Sequence, residues 1–180
     1  MSKDMTGSTT SISDPIAEAR RQWLAHGWSE AATGMAAVTT LTRVQQILVG
    51  RVEEALAPFG LTFARFEILR LLGFSRRGRL PMGKISDRLQ VHPASVTSAV
   101  KRLERDGLIR REPDTVDSRI VLASLLPAGT ELLDPATAAV NGVFAKVGID
   151  DARLDTLIEL LSPIRQLAGD SVAGEEPRND

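Results

Sequence analysis

Apolar positions recur at helical spacing along most of this chain, and where that period fails the breaks are marked by Gly and Pro. Val38, Leu41, Val44, Ile47, Leu48, Val52 and Leu56 share one face of a long amphipathic helix over residues 36–57, ended by Pro58 and Gly60. Upstream, Asp14-Pro15 is a start signal: a capping oxygen, then a residue that needs no backbone N–H. Ile16, Ala19, Trp23 and Leu24 carry a partly apolar stripe to about Thr33, and Gly34 is expected to break it. Thr62 caps a third helix with Phe63, Phe66, Leu69 and Leu72 as its stripe. GFSRRGRLP then reads as a turn with at most a short strand at Leu80. Two short helices follow. Residues 82–89 turn Ile85 and Leu89 inward; residues 93–105 turn Val96, Val100 and Leu103 inward and stop at Gly107.

The pattern then changes. Residues 108–113 and 120–125 are apolar and rich in Ile and Val, and the intervening DTVDSR has turn chemistry, which predicts a β-hairpin. Pro127 and Gly129 open a helical region to about Val147, and residues 151–167 form another amphipathic helix that Pro163 should kink near its end. The polar start, residues 1–13, and the tail from 169 to 180 are expected to be disordered. The fold class is mainly α with a small β-wing.

Composition narrows the chemistry. The 180 residues contain no cysteine, which removes disulfides, thiolate metal sites, a cysteine nucleophile and thiol redox sensing. Two histidines, His26 and His92, are too few for a histidine-rich metal site or a Ser-His-Asp set, and no phosphate-binding glycine loop occurs. No enzyme and no cofactor are expected. There is no run of about 18 apolar residues and no signal-peptide stretch, so the expected location is the cytoplasm, with no membrane partner.

The net charge of −1 hides an asymmetry: residues 76–119 carry eleven bases against six acids, or +5, and the rest of the chain carries −6. A local excess of base in an acidic protein suggests a face for a polyanion. On the 93–105 helix the outward residues are Ser95, Ser98, Lys101, Arg102 and Arg105, with Ala94 and Thr97 beside them. A helix about 10–12 Å across fits the DNA major groove, small hydroxyl residues allow close approach to bases, and the cations beyond suit phosphates. Two helices, a tight break and a hairpin together make a winged helix-turn-helix.

The stretch LPMGKISDRLQVHPASVTSAVKRLERDGLIRREPDTVDSRIVLASLLPAG, residues 80–129, resembles the MarR (multiple antibiotic resistance regulator) family. The Gly-Leu-Ile-Arg-Arg strand and the Asp117-Ser118-Arg119 wing tip carry the likeness. The resemblance implies that Arg119 enters the minor groove while Asp117 braces its guanidinium. The plainer reading is that the pair only tightens the turn. His92 stands where Ser or Asn would cap the helix better: either the cap is weak or the imidazole reaches a phosphate.

The resemblance also implies a homodimer on a palindromic double-stranded DNA operator, with half-sites roughly 34 Å apart. Residues 14–60 then hold an extra N-terminal helix and a first dimerisation helix, 61–126 the DNA-binding domain, and 127–168 the C-terminal dimerisation helices. Members of the family commonly release DNA on binding a small anionic or aromatic effector. The extra helix DPIAEARRQWLAHGWSE is similar to that of the urate-responsive subgroup, which implies a ligand role for Trp23 or Trp28, Glu67 and Arg110. Ala99 stands where that subgroup has an arginine, which disfavours urate itself. The tryptophans could equally pack the helix against the core. A winged-helix protein–protein interaction module is the alternative function, and the basic wing tip argues against it.

Overall fold

The computed structural model describes residues 14–172. The disorder expected of residues 1–13 and of the tail beyond 172 therefore lies outside the described residues. The chain divides into two units, Met1–Gly50 and Arg51–Asp180, with the boundary inside a helix.

In the first unit, Asp14 Oδ1 accepts the Ile16 N–H at 2.9 Å and starts α1, Pro15–Ala25. The helix stops at Gly27 in the left-handed region, φ 81°. There the Gly27 N–H donates to the Leu24 carbonyl and the Trp28 N–H to the Trp23 carbonyl, at 3.1 and 3.0 Å. The Trp23 and Trp28 rings meet edge to face, centroids 5.5 Å apart. This is a Schellman stop with its usual apolar clasp. The break consequently falls at 26–28 and not at Gly34. A helix can run through an isolated glycine at a cost of about 1 kcal/mol, and α2, Ser29–Leu56, does so.

In the second unit α2 tightens into a 3-10 turn, Ala57–Phe59, closed by Gly60 at φ 64°. Thr62 Oγ1 accepts the Arg65 N–H and begins α3, Phe63–Phe74. Then follow β1 (Arg79–Pro81), α4 (Met82–Leu89), α5 (Pro93–Arg105), β2 (Ile109–Pro113), β3 (Val121–Leu125), α6 (Pro127–Phe144) and α7 (Asp151–Leu167). The small sheet is antiparallel in the order β1-β3-β2, with Leu80 opposite Ala123 and Arg111 opposite Ala123 on the other side. This is the helix-turn-helix and wing expected, with α7 continuing through Pro163.

The core of this unit is made by Leu56, Ile68, Leu69, Leu72, Ile85, Val96, Val100, Leu103, Ile109 and Val140, each almost wholly buried. Full burial of such side chains is worth roughly 1.5–3 kcal/mol apiece, and α5 is held to the body by three of them. At the start of α6, Gly129 lies so close to the Leu108 carbonyl that a Cβ there would sit 2.3 Å from the oxygen. The same carbonyl accepts the Leu126 N–H at 3.0 Å. Residues 169–172 follow α7, with Val172 buried and Asp170 accepting from Arg165 Nε at 3.2 Å.

Candidate nucleic-acid interface

The turn between α4 and α5 is short because Gln90 adopts the left-handed conformation, φ 53°, and Val91 donates back to the Ser86 carbonyl. His92 is the N-cap of α5: its Nδ1 accepts the Ala94 N–H at 3.2 Å. The imidazole therefore does cap the helix, through Nδ1, and its Nε2 is not used in that bond. Pro93 occupies the first helical position, where its missing N–H costs nothing.

Burial of Val96, Val100 and Leu103 fixes which side of α5 faces out. Ser95, Ser98, Lys101, Arg102 and Arg105 are all exposed. Thr97 differs from them. It is half-buried, and its hydroxyl donates to the Pro93 carbonyl at 2.9 Å, so only its lone pairs remain to meet a base. Beside this face runs a groove of about 460 Å³ between the start of α3 and α5, lined among others by Thr62, Arg65, Ser95, Ser98 and Arg102.

Arg65 is the residue that sequence reasoning missed. Its side chain is only 10% exposed, donates Nη1 to the Gly60 carbonyl at 2.9 Å, and pairs through Nη2 with Asp106 at the end of α5. Hydrogen bonding from Arg105, and then the charge of Arg65, holds the Asp106 carboxyl below the usual carboxylate range. Arg65 thus ties the turn before α3 to the C-terminal end of α5. Its partner is 41 residues away, a separation that no local pattern encodes.

The wing is fastened similarly. Glu104 on α5 accepts the Arg111 backbone N–H at 3.0 Å and its Nε at 2.8 Å, which keeps the carboxyl acidic. Arg110 pairs with Glu112, which also accepts from Ser124 on β3. At the tip, Asp114 Oδ1 accepts the Val116 N–H at 2.7 Å. Arg119 forks onto Asp117, with Nε to Oδ1 at 2.9 Å and Nη2 to Oδ2 at 2.8 Å. The pairing lowers the Asp117 carboxyl and makes the Arg119 guanidinium harder to deprotonate. The arginine side chain nevertheless remains 89% exposed, so the brace aims the charge without hiding it.

The four candidate effector residues fall two in each unit. Trp23 and Trp28 belong to the first unit, where they flank a hollow of about 600 Å³ with Gly27, Ser29, Glu30 and Ala31. Glu67 and Arg110 belong to the second. Burial pushes the half-buried Glu67 carboxyl upward, and Arg110 is largely exposed on the wing stem. Among the described residues no helix is long and apolar enough to cross a membrane, and no His/Cys/Asp/Glu cluster is shaped for a metal ion.

Comparison with known proteins meets this geometry. The family model described as MarR matches residues 61–121, which contain the helix-turn-helix and most of the wing. The crystal structure of Sco5413, a MarR family transcriptional regulator from Streptomyces coelicolor, is 42% identical, with a TM-score of 0.69, and the match covers 77% of this chain and 96% of that one. The HTH-type transcriptional repressor Rv2887 of Mycobacterium tuberculosis is 31% identical over 107 residues, covering 59% of this chain and 76% of that protein. CouR from Rhodococcus jostii, solved with p-coumaroyl-CoA bound, is 25% identical, with a TM-score of 0.61 and coverage of 74% and 92%. In sequence, in the order of its elements and in the architecture of its reading head, the chain belongs to the MarR family.

Proposed function

We propose that this chain is a DNA-binding transcriptional regulator, a repressor, that grips a palindromic operator as a homodimer and yields it to a small effector. One observation carries the reading: α5 turns a hydroxyl-and-base face to solvent beside a wing tip whose guanidinium is aimed by Asp117 yet stays exposed. Ser95 and Ser98 meet bases in the major groove, Lys101, Arg102 and Arg105 meet phosphates, and Arg119 occupies the minor groove. Thr62, at the start of α3, adds a helix N-terminus suited to a phosphate. Rv2887 being named a repressor supports the direction of control. A DNA partner carries a cytoplasmic location with it.

The homodimer rests on apolar side chains that the chain leaves uncovered. Leu157, Ile158, Leu160 and Ile164 are exposed on α7, and Val38, Leu41, Val44 and Ile47 on α2. Residues 14–60 and 127–168 are the dimerisation segments in this reading, and residues 61–126 the reading head. The effector is a small anionic or aromatic molecule. The likeness of the N-terminal helix to that of the urate-responsive subgroup favours this class, and Ala99 directs the choice away from urate. The ligand bound by CouR supports the aromatic class.

Binding to a generic duplex at two salt concentrations tests the DNA reading. A regulator neutralising roughly 6–10 phosphates loses about 10³–10⁵ in affinity between 50 and 200 mM salt. Absence of any salt-dependent binding would leave the protein–protein interaction module as the better account.

A further inference from the structure

A second basic feature lies away from the α5 face. A groove of about 550 Å³ follows β1, and Arg76, Arg77, Arg79 and Arg88 line it with a floor of Leu80, Pro81 and Leu122. Asp114 is its one acid, and its Oδ1 is already accepting the Val116 N–H. Phe74 stands at the rim, 75% exposed, with the Arg70 guanidinium 4.3 Å from its ring centre on one face.

What sets this groove apart is that four arginines without a carboxylate partner among the described residues line one concave wall. Arg65, Arg105, Arg110, Arg111, Arg119, Arg153 and Arg165 each form an ion pair. Among the described residues none of the four groove arginines does. Converging guanidinium groups repel one another, and a concave wall over an apolar floor strengthens their joint field. Such an arrangement is relieved by an anion that accepts from several guanidinium forks at once. Phosphate groups do so in bidentate fashion, and the volume lies within the usual range of ligand clefts, about 300–1,000 Å³.

We infer that this groove is a second anion site, built for clustered phosphate groups. Two sources share that chemistry: a free organic polyphosphate, or the backbone of DNA flanking the segment read by α5. Arg76 and Arg77 lie on the exposed loop between α3 and β1 and supply the forks, Arg79 and Arg88 close the sides, and Phe74 with the floor seats an apolar group attached to the phosphates.

The test uses the full chain and its Arg76→Gln/Arg77→Gln variant, which keeps side-chain length and removes two exposed charges. Sodium tripolyphosphate, ATP and adenosine are titrated by calorimetry, and a generic duplex is titrated across salt. A free-phosphate site gives binding of tripolyphosphate and ATP but not adenosine, weakened at least tenfold in the variant, with the DNA salt slope unchanged. A flanking-DNA site gives a slope smaller by about 1.8, at about 0.9 per lost phosphate contact. Equal behaviour of the two proteins in both arms overturns the inference. The tripolyphosphate arm does not depend on the regulator reading, so either can fail while the other stands.

Discussion

Helices α5 and α7 look alike in the sequence, both amphipathic, yet they are used in opposite ways. α5 buries Val96, Val100 and Leu103 within its own chain and turns its polar side out. α7 buries none of its residues, and Leu160 and Ile164 remain 69% and 60% exposed. An apolar stripe therefore says that a helix face will be covered but not by what. For α5 the cover is the core of the head; for α7 the proposed cover is a second copy.

That contrast can be broken from either side, and the largest effects are expected there. Leu160→Glu with Ile164→Glu should leave the head folded but shift the protein from dimer to monomer in sedimentation velocity, and operator affinity should fall by orders of magnitude with it. Leu103→Ala should do the reverse, costing about 2–5 kcal/mol in urea unfolding through the cavity it leaves. Next in size, Arg119→Ala should weaken DNA binding about ten- to a hundredfold, measured by fluorescence anisotropy, and leave the melting temperature unmoved because the side chain covers nothing. Smaller still, His92→Ala should cost about 0.5–1 kcal/mol by removing the α5 cap, while His92→Asn should not. The smallest effect belongs to Glu67. Its folded pKa is raised, so its contribution is fully present below the ordinary glutamate value and is lost as pH rises through the folded one. Glu67→Gln should raise the melting temperature at pH 8 and not at pH 4, by differential scanning fluorimetry.

Much of the reading head was legible before any coordinates. Pro93, Gly107 and the three buried positions of α5 are strong local signals, and the bounds of α4, α5 and α7 followed from such signals. The outward residues of α5 followed from the same period. What escaped depended on distance or on competition. The α1 stop sits at Gly27, which takes the left-handed conformation while Trp23 and Trp28 clasp across it; Gly34 stays within α2. The burial of Arg65 waits on Asp106, and the Thr97 hydroxyl turned out to serve its own helix. His92 caps with a ring nitrogen, a use that helix statistics for Ser and Asn do not suggest. The groove along β1 is assembled from α3, α4, the sheet and the wing, so its arginines read in sequence only as a charge run.

The contact between Gly129 and the Leu108 oxygen has a mechanical meaning. With no side chain there to act as a cushion, the first turn of α6 and the root of the wing are seated backbone on backbone. Any residue larger than glycine at 129 would have to prise the start of α6 away from the Leu108 carbonyl, parting that helix from the base of the hairpin.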